Sequence, residues 1–215
     1  LRSCQFCNLS EVIIRREDTV ETLMEKVEHA TILGTLQSAL VDFPYLRPIW
    51  RENCEDERLL GVSLTGIMDH TPIAEEDLRR LREHAREVNT KWAKKLGIKA
   101  SKAITTVKPS GTVSQLVNSS SGIHPRFAQY YVRRVRQSEH DPLTQLLIDQ
   151  GVPHERDQMQ TGNFVFEFPQ RAPEGAELVA DMSAIDQCEA WLSYNQAWAD
   201  HSVSCTVYYS KEEFL

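Results

Sequence analysis

The sequence predicts an α/β fold of mostly parallel strands joined by crossover helices. Short apolar runs alternate along the chain with stretches of helical period, and proline or glycine punctuates most changes of period. Composition agrees: 215 residues, 41% hydrophobic and 26% charged, are enough to bury a sizeable core and too apolar for disorder. No internal repeat, low-complexity tract or linker interrupts the chain, so residues 1–215 are expected to form a single piece.

The elements follow in order. Residues 8–15 hold Leu9, Val12, Ile13 and Ile14, which suits a short strand with two buried faces. From 18 to 41 the period changes, and Val20, Leu23, Met24, Val27, Ala30, Leu33, Leu36 and Leu40 make a helical stripe. Asp18 or Thr19 can cap its start, with Glu21 in the first turn. Pro44 and Pro48 break this helix, and a second strand is expected over 58–66, where Gly61 and Gly66 permit a close approach or a turn.

Thr71-Pro72 then announces a helix whose buried stripe is Leu78, Leu81, Ala85, Val88, Trp92 and Leu96, with Gly97 as its left-handed stop. A strand over 103–107 runs directly into a polar loop. Beyond it the pattern predicts a strand over 130–136, a helix near 142–150, a strand over 163–168, a helix around 185–200 and a final strand over 203–209.

Charge and cysteine usage narrow the function. A net charge of -7 argues against nucleic acid as the main partner, because backbone binding needs an excess of Lys and Arg on one face. Small anionic substrates need only a local pocket. No run of about 18 apolar residues exists to span a membrane, and the first residues form no signal peptide, so a cytoplasmic location is expected. The odd set Cys4, Cys7, Cys54, Cys188 and Cys205 is expected to be mostly reduced. No second Cys-x-x-Cys, no His-Glu-x-x-His and no ligand spacing among the histidines occurs, so no metal site is expected.

Lys108-Pro109-Ser110-Gly111-Thr112-Val113-Ser114 leaves the carboxyl end of a predicted strand, where α/β folds bind ligands. Ser110, Thr112 and Ser114 offer hydroxyls, Gly111 lets main chain approach an anion, and a helix starting just beyond would favour negative charge. Phosphate is the natural guest of such a cradle. A serine-capped turn without a ligand explains the same residues, and the pattern is not a Walker loop.

The longer run Thr105-Thr106-Val107-Lys108-Pro109-Ser110-Gly111-Thr112-Val113-Ser114-Gln115, continuing to Gly122-Ile123-His124-Pro125, resembles the phosphate-binding segment of ribonucleotide reductase large subunits. The resemblance implies that Ser110, Gly111, Thr112, Val113 and Ser114 hold the phosphates of a ribonucleotide. Lys108 and Gly111 resemble the adenosylcobalamin-dependent (class II) ribonucleoside-triphosphate reductases, as do Arg133-Arg134-Val135-Arg136 and the stretch at 203–209. Read without the family, Arg133 to Arg136 is a solvated strand face, while Tyr130, Tyr131, Trp191 and Trp198 are packing residues.

Gln5-Phe6-Cys7-Asn8-Leu9 is similar to a second family segment, whose Cys-Asn-Leu supplies one of two cysteines that reduce the substrate. By that resemblance Cys7 is a redox-active thiol, since removing the 2′-hydroxyl takes two electrons and closes a disulfide. Cys4 and Cys7 as a self-contained pair would lack the helix amino terminus that usually activates such a thiol.

The fold implied is roughly the second half of a ten-stranded α/β barrel of ribonucleotide reductase type. The activity implied is conversion of ribonucleoside triphosphates to deoxyribonucleotides by thiyl-radical chemistry, with adenosylcobalamin as cofactor, a thioredoxin-like reductant, and the N-terminal part of the barrel as partner. The family's Asn-Pro-Cys-Gly-Glu motif is expected before Leu1, and no Cys-Gly-Glu occurs in the chain, so this piece is expected to be inactive alone. A class I or diphosphate-using large subunit, or a catalytically incomplete nucleotide-binding module, would share many of these features.

Overall fold

Strand β1 (Asn8–Ile13) carries the first apolar run into a parallel sheet with β2 (Leu60–Thr65) and the short β3 (Thr105–Thr106), in the order β1-β2-β3. This is the computed structural model of the chain, and it describes residues 1–214. Register sets Leu9 opposite Gly61 and Ser63 opposite Thr106. Side chains alternate across a strand, so Cys7, Leu9, Gly61, Ser63 and Thr106 share one face, while Leu60, Val62 and Leu64 point to the other.

Helices cover that second face. Helix α1 (Val20–Gln37) starts at Thr19, whose hydroxyl and that of Thr22 make a reciprocal capping box. Helix α3 (Glu75–Leu96) packs against α1, and α6 (Ala184–Ala197) packs against α3. Leu23, Val27, Leu60, Val62, Leu78, Leu81, Ala85, Val107 and Trp198 are buried together in the core between them.

Several expectations change. Helix α2 (Pro48–Glu57) was not expected: its few apolar residues make no stripe, but Pro48 at the first helical turn has a fixed φ that suits the start. Helix α3 begins at Glu75 rather than at Thr71-Pro72, and the acidic trio Glu75, Glu76 and Asp77 complements its dipole in place of a side-chain cap. Gly97 closes it at φ 67, as predicted.

The strand expected over 203–209 reduces to one bridge between Val203 and Val107. Side chains hold that segment instead: Trp191 Nε1 donates to the Val203 carbonyl at 2.9 Å, and Gln187 exchanges hydrogen bonds with the backbone of Tyr208.

The chain folds as two compact units, Leu1–Arg126 with Gly175 onward, and Phe127–Glu174. The second holds β4 (Tyr130–Ser138), α5 (Pro142–Asp149), β5 (His154–Arg156) and β6 (Asn163–Arg171). Its sheet order is β4-β6-β5 and every pairing is antiparallel, against the mostly parallel expectation. The link from β5 to β6 is too short for the crossover that a parallel pair requires. Arg134 and Arg136 are exposed on β4 and pair with Glu155 and Asp157, as a solvated strand face should.

Candidate functional site

The loop after Val107 is built from its roots. The Lys108 amide donates to Ser63 Oγ at 2.9 Å, which ties the loop's first residue to the middle strand of the sheet. The Ser110 amide donates to Ser121 Oγ at 2.8 Å. Ser110 Oγ accepts from the Ser114 amide at 3.0 Å, and Ser114 Oγ donates back to the Ser110 carbonyl. Both serines are buried, so their hydroxyls brace the turn from inside.

Gly111, Thr112 and Val113 form the exposed rim. A Cβ added at Gly111 would meet nothing within 4 Å, so the space in front of this backbone is open. The helix that follows, α4 (Val113–Leu116), is a single turn.

The return limb, residues 118–126, is held more firmly. Thr65 Oγ1 donates to the Ser120 carbonyl at 3.0 Å and accepts from the Gly122 amide at 2.8 Å. The Asp69 carboxylate accepts from the Ser120 amide at 2.7 Å and takes a two-pronged contact from Arg126, at 2.9 Å from Nε and 2.7 Å from an Nη. Arg126 and Asp69 side chains are 3% and 7% exposed, so this is a buried, fully engaged ion pair. Gly122 lies at φ +56, and a Cβ there would come within 2.6 Å of the Lys108 carbonyl. Only glycine lets the two limbs approach this closely.

His124 links the loop to the 203–209 segment. Its Nε2 accepts from the Thr206 amide at 2.8 Å, which leaves Nδ1 to donate to the Ser121 carbonyl at 2.7 Å.

Cys7 sits half-buried just ahead of β1. A Cβ added at Gly61 would lie 3.2 Å from Cys7 Sγ, 3.4 Å from Thr106 Cγ2 and 2.3 Å from Leu9 Cδ2, so the absent side chain is what lets Leu9, Cys7 and Thr106 pack together over this strand. Burial pushes the Cys7 thiol up, and the Lys108 ammonium and the chain's amino terminus pull against that shift. Cys7 and Thr106, two residues before Lys108, thus flank Gly61 on one sheet face. Cys4 takes no part in this: its sulfur accepts from an Arg47 Nη at 3.3 Å.

The sequence pointed to Cys7 and to residues 110–114, and missed Ser63, Thr65, Ser121, Asp69 and Arg126. Strand alternation could have put Ser63 and Thr65 on the face of Gly61. Asp69 and Arg126 lie far apart in sequence with no shared pattern, so nothing local announced their pairing. Among the described residues no group of His, Cys, Asp and Glu is arranged to hold a metal ion, and no helix is long and apolar enough to cross a membrane.

Known proteins resemble this chain along nearly its whole length. An adenosylcobalamin-dependent ribonucleoside-triphosphate reductase of Levilactobacillus brevis is 27% identical over 96% of the chain and 32% of the relative's length. One of Lacticaseibacillus paracasei is 32% identical over 69% of the chain and 21% of its own length. A crystal structure of a B12-dependent (class II) ribonucleotide reductase superposes with a TM-score of 0.79 at 25% identity, covering 96% of this chain and 33% of that one. The chain thus spans about a third of the length of such relatives. The sequence pattern of the ribonucleotide reductase barrel domain matches residues 50–214, and the chain belongs to that family.

Proposed function

We propose that this chain is part of the catalytic barrel of an adenosylcobalamin-dependent ribonucleoside-triphosphate reductase. In this reading both compact units serve one piece of the barrel, the remainder coming from the rest of a longer protein working in the cytoplasm. The observation that carries the reading is the loop at the carboxyl end of β3, braced by Ser63, Thr65 and the Asp69–Arg126 pair, with Gly111, Thr112 and Val113 turned outward.

Phosphate oxygens are held at residues 110–114, by main-chain amides on the rim and by the Thr112 hydroxyl, with Ser110 and Ser114 keeping the turn in shape. Fixing the phosphates presents the sugar to the reacting groups and removes much of the orientational cost of the chemistry. Cys7 and a second thiol outside this chain supply two electrons and two protons. The 2′-hydroxyl leaves as water, a hydrogen takes its place, and the thiols close a disulfide that a thioredoxin-like dithiol reopens.

Adenosylcobalamin would supply the radical that starts the reaction. An open groove of about 840 Å³ runs along β1 and α1.

The test uses the complete protein with adenosylcobalamin and each ribonucleoside triphosphate. Deoxynucleotide is expected without a second protein subunit, and formation only when such a subunit is added would overturn the class. Cys7→Ser is expected to stop multiple turnovers and leave nucleotide binding intact, whereas unchanged steady turnover would remove Cys7 from the reaction. Ser110→Ala with Thr112→Ala should weaken triphosphate binding by roughly tenfold, the scale of a lost hydrogen bond to a charged group.

A further inference from the structure

His124 joins the return limb of the loop to the 203–209 segment, and both of its ring nitrogens are committed. The Thr206 amide can only donate, so Nε2, 2.8 Å away, is bare. The Ser121 carbonyl can only accept, so Nδ1, 2.7 Å away, carries the proton. The two bonds select one neutral tautomer of the ring, since a proton on Nε2 would set two donors face to face.

The carbonyl that Nδ1 reaches belongs to the residue whose hydroxyl fixes the loop. Ser121 Oγ accepts from the Ser110 amide at 2.8 Å, and the His124 backbone amide donates to the same Ser121 carbonyl at 2.9 Å. Thr65 and Asp69 fix Ser120 and Gly122 on either side, so Ser121 stands between them with its hydroxyl on Ser110 and its carbonyl on His124. Beyond Ser110 come Gly111, Thr112 and Val113, whose amides have no protein partner among the described residues. The far end of the tie is anchored as well. Ser204 donates its amide to the Val107 carbonyl at 3.0 Å, Gln187 bonds both backbone groups of Tyr208, and Thr206 lies between these two fixed points.

We infer that His124 is a positioning residue for the phosphate loop: with its proton on Nδ1, it carries the anchorage of the 203–209 segment through Ser121 to the Ser110 amide, and so sets where the rim amides stand. This rests on the phosphate-binding role proposed for residues 110–114. A cradle of amides gains less from an anion that must first order it, so bracing complete before the substrate arrives lowers the cost of binding.

The experiment measures KM and kcat for a ribonucleoside triphosphate in the complete protein, with adenosylcobalamin and dithiothreitol. His124→Asn keeps an amide able to reach Ser121 but is too short for Thr206, whereas His124→Gln can present its Oε1 to the Thr206 amide. His124→Asn is expected to raise KM roughly fivefold, the scale of one hydrogen bond, with kcat within about twofold of the parent, and His124→Gln to recover most of that loss. An Asn variant with the parent's KM overturns the inference, as does a Gln variant no better than Asn. A variant that is only less stable loses active protein, so a fall in kcat at unchanged KM overturns it too. The ring itself gives a readout that needs no turnover. The nitrogen NMR spectrum of the complete protein labelled at histidine, with the His124 signals identified by their loss in His124→Gln, is expected to show a protonated Nδ1 and a bare Nε2 near neutral pH. A proton on Nε2 overturns the inference, and where His124→Asn fails to fold this spectrum decides. Ser110→Ala with Thr112→Ala separates the two levels: if that double variant keeps the parent's affinity, the phosphate-binding reading falls and this one with it, and if it weakens binding while His124→Asn does not, only the role of His124 falls.

Discussion

The loop's rigidity traces to two residues that never touch its rim. Asp69→Ala would strand the Arg126 guanidinium, 3% exposed, without its carboxylate. Removing one member of such a buried pair costs about 3–5 kcal/mol. A fall of that size in urea-unfolding stability of the complete protein is expected, with the slope unchanged. A loss below about 1 kcal/mol would mean that water or a rearranged neighbour replaces the carboxylate. Gly122→Ala should both destabilise the protein and weaken triphosphate binding, because the new methyl meets the Lys108 carbonyl and no flexible side chain can yield. At this scale the sequence was half legible. Ser110 and Thr112 stood out because their hydroxyls and spacing are local, and Cys7 only through the resemblance, whereas the bracing residues come together only through the fold.

At the scale of elements, local signals read well and pairing signals read badly. Thr19 was visible as a cap of α1 and Gly97 as the stop of α3, since both act within one turn of chain. Helix α6 carries a stronger start than composition suggested: Ser183 Oγ accepts from the Asp186 amide at 3.1 Å, and the Asp186 carboxylate accepts back from the Ser183 amide at 2.9 Å. Ser183→Ala should therefore cost about 1 kcal/mol, measured as a lowered thermal midpoint. An unchanged midpoint would show that packing against α3 alone holds the helix end. Strand β3 spans only Thr105–Thr106, although five apolar and β-branched residues suggested more. Its length is set by what lies beside it, and Ile104 donates its amide to the Asp200 carboxylate at 3.0 Å instead of to a strand.

For the whole molecule, alternation of strand and helix predicted the α/β class, while the barrel came only from the resemblance, because alternation carries no signal of curvature or closure. Among the described residues β1 is an edge strand, and Leu9 and Leu33 are 53% and 63% exposed around the open groove beside it. An unpaired edge flanked by apolar side chains templates further pairing. The 215-residue chain prepared alone should self-associate, and Leu9→Lys with Leu33→Lys should reduce this, both read by light scattering after size exclusion. A monodisperse, monomeric parent chain at micromolar concentration would contradict that expectation. Trp198 has a different consequence. Its indole is 0% exposed and donates to the Thr106 carbonyl at 2.8 Å, two residues before Lys108. With Trp50, Trp92 and Trp191 replaced by Phe, its ultraviolet emission becomes a built-in optical gauge, shifting red as water reaches the root of the phosphate loop, so loosening there can be watched without attaching any label.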